Sequence, residues 1–348
     1  MIQNREKSSI LLIYTGGTIG MKEDPSIQAL RPFDFSQILA EVPELRKFAY
    51  KIDSVTFGPI IDSSDVDPQN WVTLASVIED RYDQYDGFVI LHGTDTMAYS
   101  ASALSFMIEG LTKPVIFTGS QLPIGVPRTD GKENLISSVE IAAAKDESGH
   151  AMVPEVCICF DNVLMRGNRT TKINSDNFRA FRSVNCPPLA EAGISIRYNE
   201  TLIRKPEDWS KKPVFHKNLD TRVSILKIHP GITPQVAKGI LCGQESRAVI
   251  METYGAGNAP SREWFLEIVR EAAAMGKILM NVTQCLAGSV NMDLYATGKS
   301  LKELGVINGY DSTTESALGK LFFLMGISLC NEEVKAGLCN NLRGEISK

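Results

Sequence analysis

The chain has 348 residues, 43% of them hydrophobic and 22% charged, with 36 Lys and Arg against 41 Asp and Glu for a formal charge of −5. That length predicts two domains, each large enough to bury a core. A mildly acidic chain without a basic tract lacks the charge pattern that binds nucleic acid or anionic lipid, so neither is expected as a partner. The first apolar run, 10–14, is too short for a signal-peptide core. No stretch reaches the roughly 18 apolar residues of a membrane span, and the expected location is cytoplasmic.

Apolar runs of about five residues recur, each followed by a Gly-rich or hydroxyl-rich turn and a helical pattern. Residues 10–14 lead into Thr15-Gly-Gly-Thr-Ile-Gly20, 87–91 into His92-Gly-Thr-Asp-Thr-Met97, and 115–117 into Thr118-Gly-Ser-Gln121. Such runs indicate buried parallel strands, and hence an α/β fold. Between them, Asp67-Pro68 offers an N-cap and a first-turn proline to a helix whose Trp71, Leu74, Ala75 and Ile78 share a core-facing side. After 156–160 the pattern changes, and Asp161-Asn162 and Arg166-Gly167 read as turns. Charges and prolines without periodicity from 199 to 220 mark a linker. A second α/β block follows, with strands near 224–228, 248–254 and 278–283, and a helix presenting Trp264, Phe265, Ile268, Val269 and Ala272 to its core. The expected organisation is a larger N-terminal, mainly parallel-sheet domain over 1–200, a linker over 201–220, and a smaller C-terminal α/β domain over 221–348.

Cofactor and metal motifs fail on spacing. Thr15-Gly-Gly-Thr-Ile-Gly20 lacks G-x-G-x-x-G, Tyr254-Gly-Ala-Gly-Asn258 runs into Pro260, and Gly298-Lys299-Ser300 has Asp293 where a phosphate loop needs its first glycine. The seven Cys include one Cys-x-Cys, at 157 and 159, and the four His never fall at i, i+4. Free thiols packed as small hydrophobes are expected, with no metal and no cofactor. No G-x-S-x-G or H-E-x-x-H occurs, and His92 is as well explained as a hydrogen-bonded strand-end residue as a general base.

What remains is hydroxyl chemistry. Three strand ends carry Thr15 and Thr18, Thr94 and Thr96, and Thr118 and Ser120, on the rim where open parallel sheets bind ligands. Any one loop could be ordinary turn chemistry; three on one rim favour a site. Asp62-Ser63-Ser64-Asp65 adds groups suited to an ammonium and a carboxylate, and Asn168-Arg169-Thr170-Thr171-Lys172 adds a lysine. A threonine attacks a carbonyl only if a base takes its proton, and a lysine beside a carboxylate can fill that role without histidine. Thr18, Thr94, Asp95 and Lys172 are the residues for it, with the glycines at 16, 17 and 93 opening backbone N–H groups to a developing oxyanion.

Those residues resemble the cytoplasmic, type I L-asparaginases of bacteria, through Tyr14-Thr-Gly-Gly-Thr-Ile-Gly20 and Gly87-Phe-Val-Ile-Leu-His-Gly-Thr-Asp-Thr-Met97. Asp62-Ser-Ser-Asp65, Arg166-Gly-Asn-Arg-Thr-Thr-Lys172 and Tyr254-Gly-Ala-Gly-Asn258 support the likeness. The resemblance implies cofactor-free hydrolysis of L-asparagine to L-aspartate and ammonia. It makes Thr18 the nucleophile, Thr94 a second catalytic threonine linked to Lys172, and Asp95 the ligand of the α-ammonium. Asp62, Ser63 and Ser64 would hold the α-carboxylate, with backbone near Ser120 close to the side-chain amide. It also implies homodimers or homotetramers. The alternatives are a broader asparaginase/glutaminase, since one methylene is worth only about 1 to 3 kcal/mol in a pocket, a catalytically dead amino-acid sensor, and an amidotransferase subunit. The sensor is disfavoured by the presence of Thr18, Thr94 and Lys172, and the amidotransferase by the short segment before Thr15.

Three positions depart from the family pattern. Gln28 stands where many members carry a lid tyrosine, and no Tyr lies between 15 and 49. The glutamate that periplasmic members contribute across the dimer has no match around 289–298. Thr171 and Cys285 match a second, activating asparagine site of some members, but Glu252 replaces the arginine that would meet the effector carboxylate. Like charges repel, so weak or absent activation is expected.

Overall fold

The computed structural model describes residues 8–24, 29–32, 38–328 and 330–347, so Gln28 lies outside the described residues. Contacts divide the chain into two units, the first holding residues up to 183 together with 187–215, the second 184–186 and 216 onward.

The first unit is built on strands Ser9–Tyr14 (β1), Lys51–Thr56 (β2), Gly87–Leu91 (β3), Val115–Thr118 (β4) and Val156–Phe160 (β5). They lie in the order β2-β1-β3-β4-β5, all parallel. Every residue of β3, β4 and β5 is buried, as continuous apolar runs require when helices cover both faces of a sheet. The crossovers include the helices Pro68–Arg81 (α1), Met97–Met107 (α2) and Gly131–Ala143 (α3). Helix α1 starts in a capping box: Asp67 accepts from the Asn70 backbone N–H and the Asn70 side chain accepts from that of Asp67. Trp71, Leu74, Ala75 and Ile78 are its buried residues, the stripe that the 3.6-residue period predicts.

At Asp161-Asn162 both residues take positive φ, 49° and 62°, which turns β5 back into the antiparallel strand Val163–Arg166 (β6). A two-residue hairpin with both φ values positive matches the twist of its strands. Ala190–Ala192 (β7) and Ile196–Tyr198 (β8) complete an eight-stranded sheet. Cys157 and Cys159 are core thiols, and burial pushes Cys159 up to about 11. The charged stretch after 199 is anchored in this unit. Arg204 N–H donates to Glu155 Oε1 at 2.8 Å, Lys205 Nζ to the Met152 carbonyl at 2.7 Å, and Val214–Phe215 pairs with Ile108–Glu109. Glu155 also receives Arg166 Nε at 2.6 Å, and both side chains are buried.

In the second unit Val223–Lys227 (β9), Ala248–Thr253 (β10), Ile278–Thr283 (β11) and Ile307–Asn308 (β12) form a parallel sheet in that order. Its helices are Pro234–Leu241 (α4), Glu263–Ala274 (α5), Ala296–Glu303 (α6), Thr314–Ile327 (α7) and Asn331–Leu338 (α8). Phe265, Ile268, Val269 and Ala272 of α5 are buried, whereas Trp264 is half-buried at the rim of that core. Gly298-Lys299-Ser300 falls inside α6 and forms no phosphate loop.

A fully buried ion pair ties down the C-terminal segment. Lys320 Nζ lies 2.6 Å from Glu345 Oε1, and the side chains are 1% and 0% exposed. Burial alone would raise the Glu345 carboxyl, but the Lys320 ammonium and the N–H groups of Leu342 and Arg343 outweigh it and hold it below its ordinary value. Lys320 also donates to the Leu338 carbonyl at 3.1 Å, so the charge is fully solvated by protein. Removing one partner strands the other. Lys320→Met should cost about 3–5 kcal/mol in urea unfolding followed at Trp264, and Lys320→Met with Glu345→Gln should recover roughly half of it.

Candidate active site

Strand register sets the site. Tyr14 pairs with both Thr56 and Leu91, and Leu91 pairs with Thr118, so β2, β1, β3 and β4 end at one level. The loops that follow leave the same carboxyl edge side by side. The chain passes from β1 to β2 on one side and then to β3 on the other, so the crevice between β1 and β3 is a topological switch point, where open α/β sheets bind their ligands.

The two loops at that crevice touch through backbone. Gly17 has φ 88°, and a Cβ there would lie 2.5 Å from the Gly93 nitrogen. A Cβ at Gly93 would lie 2.5 Å from Ser63 Oγ, so the 62–65 turn presses on the same point. Only glycine allows this approach. Thr18 and Thr94 each follow one of these glycines directly in the chain, and Ser63 lies against Gly93.

The hydroxyls on this rim sort into two kinds. Thr15 Oγ1 donates to the Leu91 carbonyl at 3.0 Å, Thr118 Oγ1 to Cys159 at 2.9 Å, Thr96 Oγ1 to Ser63 at 2.6 Å and Ser120 Oγ to Leu122 at 2.5 Å. These four stitch the loops to backbone, as turn chemistry predicts. Thr94 instead faces a cation. Lys172 Nζ donates to Thr94 Oγ1 at 2.8 Å and to Asp95 Oδ1 at 2.6 Å. Lys172 is 17% exposed and Asp95 65%, so the lysine is mostly covered and the carboxylate faces solvent.

Lys172 reaches this point because the 3-10 turn Gly167–Arg169 is buried and packs on α2, where a Cβ at Gly167 would lie 3.0 Å from that of Ala101. The short strand Thr171–Lys172 then pairs with Phe181–Arg182. Asp62 caps the 63–65 turn, accepting from Ser64 N–H at 2.9 Å and Ser64 Oγ at 2.8 Å. Those bonds, led by the backbone one, hold its carboxyl below the ordinary range, so it is an anion. The structure also adds Gln121, whose Oε1 accepts from Thr94 Oγ1 at 3.3 Å while its Nε2 donates to the Asn177 carbonyl at 3.2 Å. It was not among the candidate residues read from the sequence; its place one residue past Ser120 on the same rim is the signal that could have found it.

His92 is not a base for this site. Its Nδ1 lies 2.7 Å from the Gly93 carbonyl, which can only accept, so Nδ1 carries the proton and Nε2 accepts from Ser100 Oγ at 3.0 Å. Ser100 in turn receives Trp71 Nε1 at 2.9 Å. Burial pushes the imidazole down from 6.5 to about 4. As pH falls below 6.5 the unfolded chain binds this proton and the folded chain does not, so stability is lost between pH 6.5 and 4. Wild type should lose roughly 3 kcal/mol more than His92→Asn over that interval in urea titrations, and His92 should keep its Nδ1–H tautomer through neutral pH by 15N NMR.

The chain matches the family model for the asparaginase N-terminal domain over residues 9–204 and that for the glutaminase/asparaginase C-terminal domain over 222–337. It is 43% identical over 346 residues to L-asparaginase 1 of Escherichia coli strain K12, covering 98% of this chain and 99% of that one. The crystal structure of L-asparaginase I from Vibrio cholerae superposes with a TM-score of 0.89 at 42% identity, over 98% of this chain and 100% of that one. The thermostable L-asparaginase from Thermococcus kodakarensis gives 0.88 at 33% identity, over 98% and 99%. Family models over most of the chain, and relatives matched from end to end, establish that this chain belongs to the asparaginase/glutaminase family.

Proposed function

We propose that the chain hydrolyses L-asparagine to L-aspartate and ammonia through an ester on Thr18, without cofactor. The observation that carries this reading is the contact of Lys172 with both Thr94 and Asp95, at 2.8 and 2.6 Å, beside the loop that presents Thr18. Thr18 Oγ attacks the side-chain amide carbon as its proton passes to Thr94 Oγ1, and the Thr94 hydroxyl hands its own proton on to the amide nitrogen. The Lys172 ammonium, held by Asp95, donates to Thr94 Oγ1 and stabilises the negative charge that develops there. Backbone N–H groups at the Gly17–Gly93 contact face the tetrahedral oxyanion. When the C–N bond breaks, the nitrogen leaves with that proton as ammonia. Water then attacks the aspartyl ester along the same relay and releases Thr18. Asp95 binds the α-ammonium, while the turn of Asp62, Ser63 and Ser64 orients the α-carboxylate end.

The enzyme works in the cytoplasm as a homodimer or homotetramer. Among the described residues, no helix is long and apolar enough to cross a membrane. Leu286, Leu294 and Tyr295, 62%, 56% and 52% exposed in one stretch of the second unit, are apolar surface suited to a second copy. At the position expected to meet an effector carboxylate, Glu252 is already engaged: Oε1 accepts from Thr314 Oγ1 at 2.7 Å and Oε2 lies 3.4 Å from Lys227 Nζ.

Ammonia release from L-asparagine and L-glutamine tests the reading. Thr18→Ala should lower kcat about 10⁴-fold with the fold intact, and Lys172→Met about 10²- to 10⁴-fold. No release from either amide by wild type rejects the enzyme, and undiminished turnover in Thr18→Ala rejects the nucleophile. Velocity should rise hyperbolically with asparagine; a sigmoid curve would show that Glu252 does not block activation.

A further inference from the structure

We infer that Asp130 and Asn134 are positioning residues that fix the 119–122 loop and thereby the depth at which the substrate amide sits, which rests on the asparaginase reading above. Asp130 occupies the N-cap of α3, where a carboxylate ordinarily accepts from the first-turn N–H groups of its own helix. Here it makes no such bond. Both of its oxygens turn to the loop instead: Gln121 N–H donates to Oδ1 and Oδ2 at 3.0 Å each, and Leu122 N–H to Oδ1 at 3.2 Å. A helix cap has been given up to hold two loop amides.

Asn134, one turn further along α3 and 2% exposed, holds the other end of the loop. Its Nδ2 donates to the Gly119 carbonyl at 2.9 Å and to Asp130 Oδ2 at 3.2 Å, and its Oδ1 accepts from Asp161 N–H at 3.0 Å. The peptides on both sides of Ser120 are therefore tied to one helix, through Gly119 before it and Gln121 after it. That helix start also abuts the nucleophile turn, since a Cβ at Gly131 would lie 3.2 Å from both Ser120 Cβ and Ile19 Cγ1. A Cβ at Gly119 would lie 2.4 Å from the His92 carbonyl, so the loop backbone packs directly against the segment that follows β3. Thr18 and the Ser120 backbone thus share one reference body, α3. On the asparaginase reading, the gap between them sets the length of side chain that fits.

The consequence is discrimination by distance. Asparagine and glutamine differ by one methylene, so a loop free to retreat by a fraction of that length should narrow the preference between them. Asp130→Ala should lower kcat for asparagine about tenfold with KM changed less than threefold, and shrink the asparagine-to-glutamine ratio of kcat/KM about tenfold. Asp130→Asn, which keeps an acceptor for the loop amides, should restore most of both. Hydrogen exchange at Gln121 and Leu122 reads the positioning without any substrate, and should quicken at least tenfold in Asp130→Ala. Unchanged exchange at these amides, or an unchanged substrate ratio beside an altered kcat, overturns the proposal. Failure of wild type to release ammonia would instead reject the functional reading, and exchange would then decide whether the anchoring itself stands.

Discussion

The approach of two backbones at Gly17 and Gly93 is the constraint on which this structure turns. A side chain at either glycine would occupy space held by Gly93 or Ser63 atoms about 2.5 Å away. Because no side chain intervenes, the separation of the two loops follows from the strands that carry them. Those strands are adjacent and in register, Tyr14 against Leu91. Sheet hydrogen bonding therefore sets the spacing of the two backbone segments that carry Thr18 and Thr94. On the proposed mechanism, groups carried on backbones fixed this way lose little entropy on reaching the reactive geometry.

Around that point the protein spends most of its polar groups on holding backbone. Thr15, Thr96, Thr118 and Ser120 fasten loops to carbonyls, Asp62 caps its own turn, and His92 locks the Gly93 carbonyl from within the core. Lys172 is different, a charged side chain mostly covered and shared between a hydroxyl and a solvent-facing carboxylate. Division of labour follows from burial. Neutral hydroxyls and a neutral imidazole can be buried at the cost of one or two hydrogen bonds, whereas an ammonium needs a carboxylate at hand. The Lys320–Glu345 pair in the second unit obeys the same rule with no solvent at all.

Much of the fold was legible in the chain. Runs such as Gly87–Leu91 have no polar residue to face water, so they must be covered on both sides, and α1 announces its cap, its proline and its apolar stripe. The site was legible as a set of residue types on three strand ends and a lysine motif. What was hidden is how those hydroxyls divide. Thr15 and Thr18 stand three residues apart in one loop, yet Thr15 serves a strand carbonyl, and nothing in their spacing separates them. Gln121 and the pair Asp130 and Asn134 were hidden for a related reason, because their roles depend on partners that other segments supply.

The sequence by itself determined the α/β class, the buried strands and the glycines that permit close approach, since burial and backbone freedom are properties of residues and short runs. Family membership follows from the same local patterns held in order along the chain. Tertiary structure alone decided that Lys172 meets Thr94 across 78 positions, that His92 is a neutral strut and no base, and that Asp130 abandons its cap for a neighbouring loop. Hydrogen-bond partners and pKa values depend on distance in space, which register and crossover connections set and which no local pattern records.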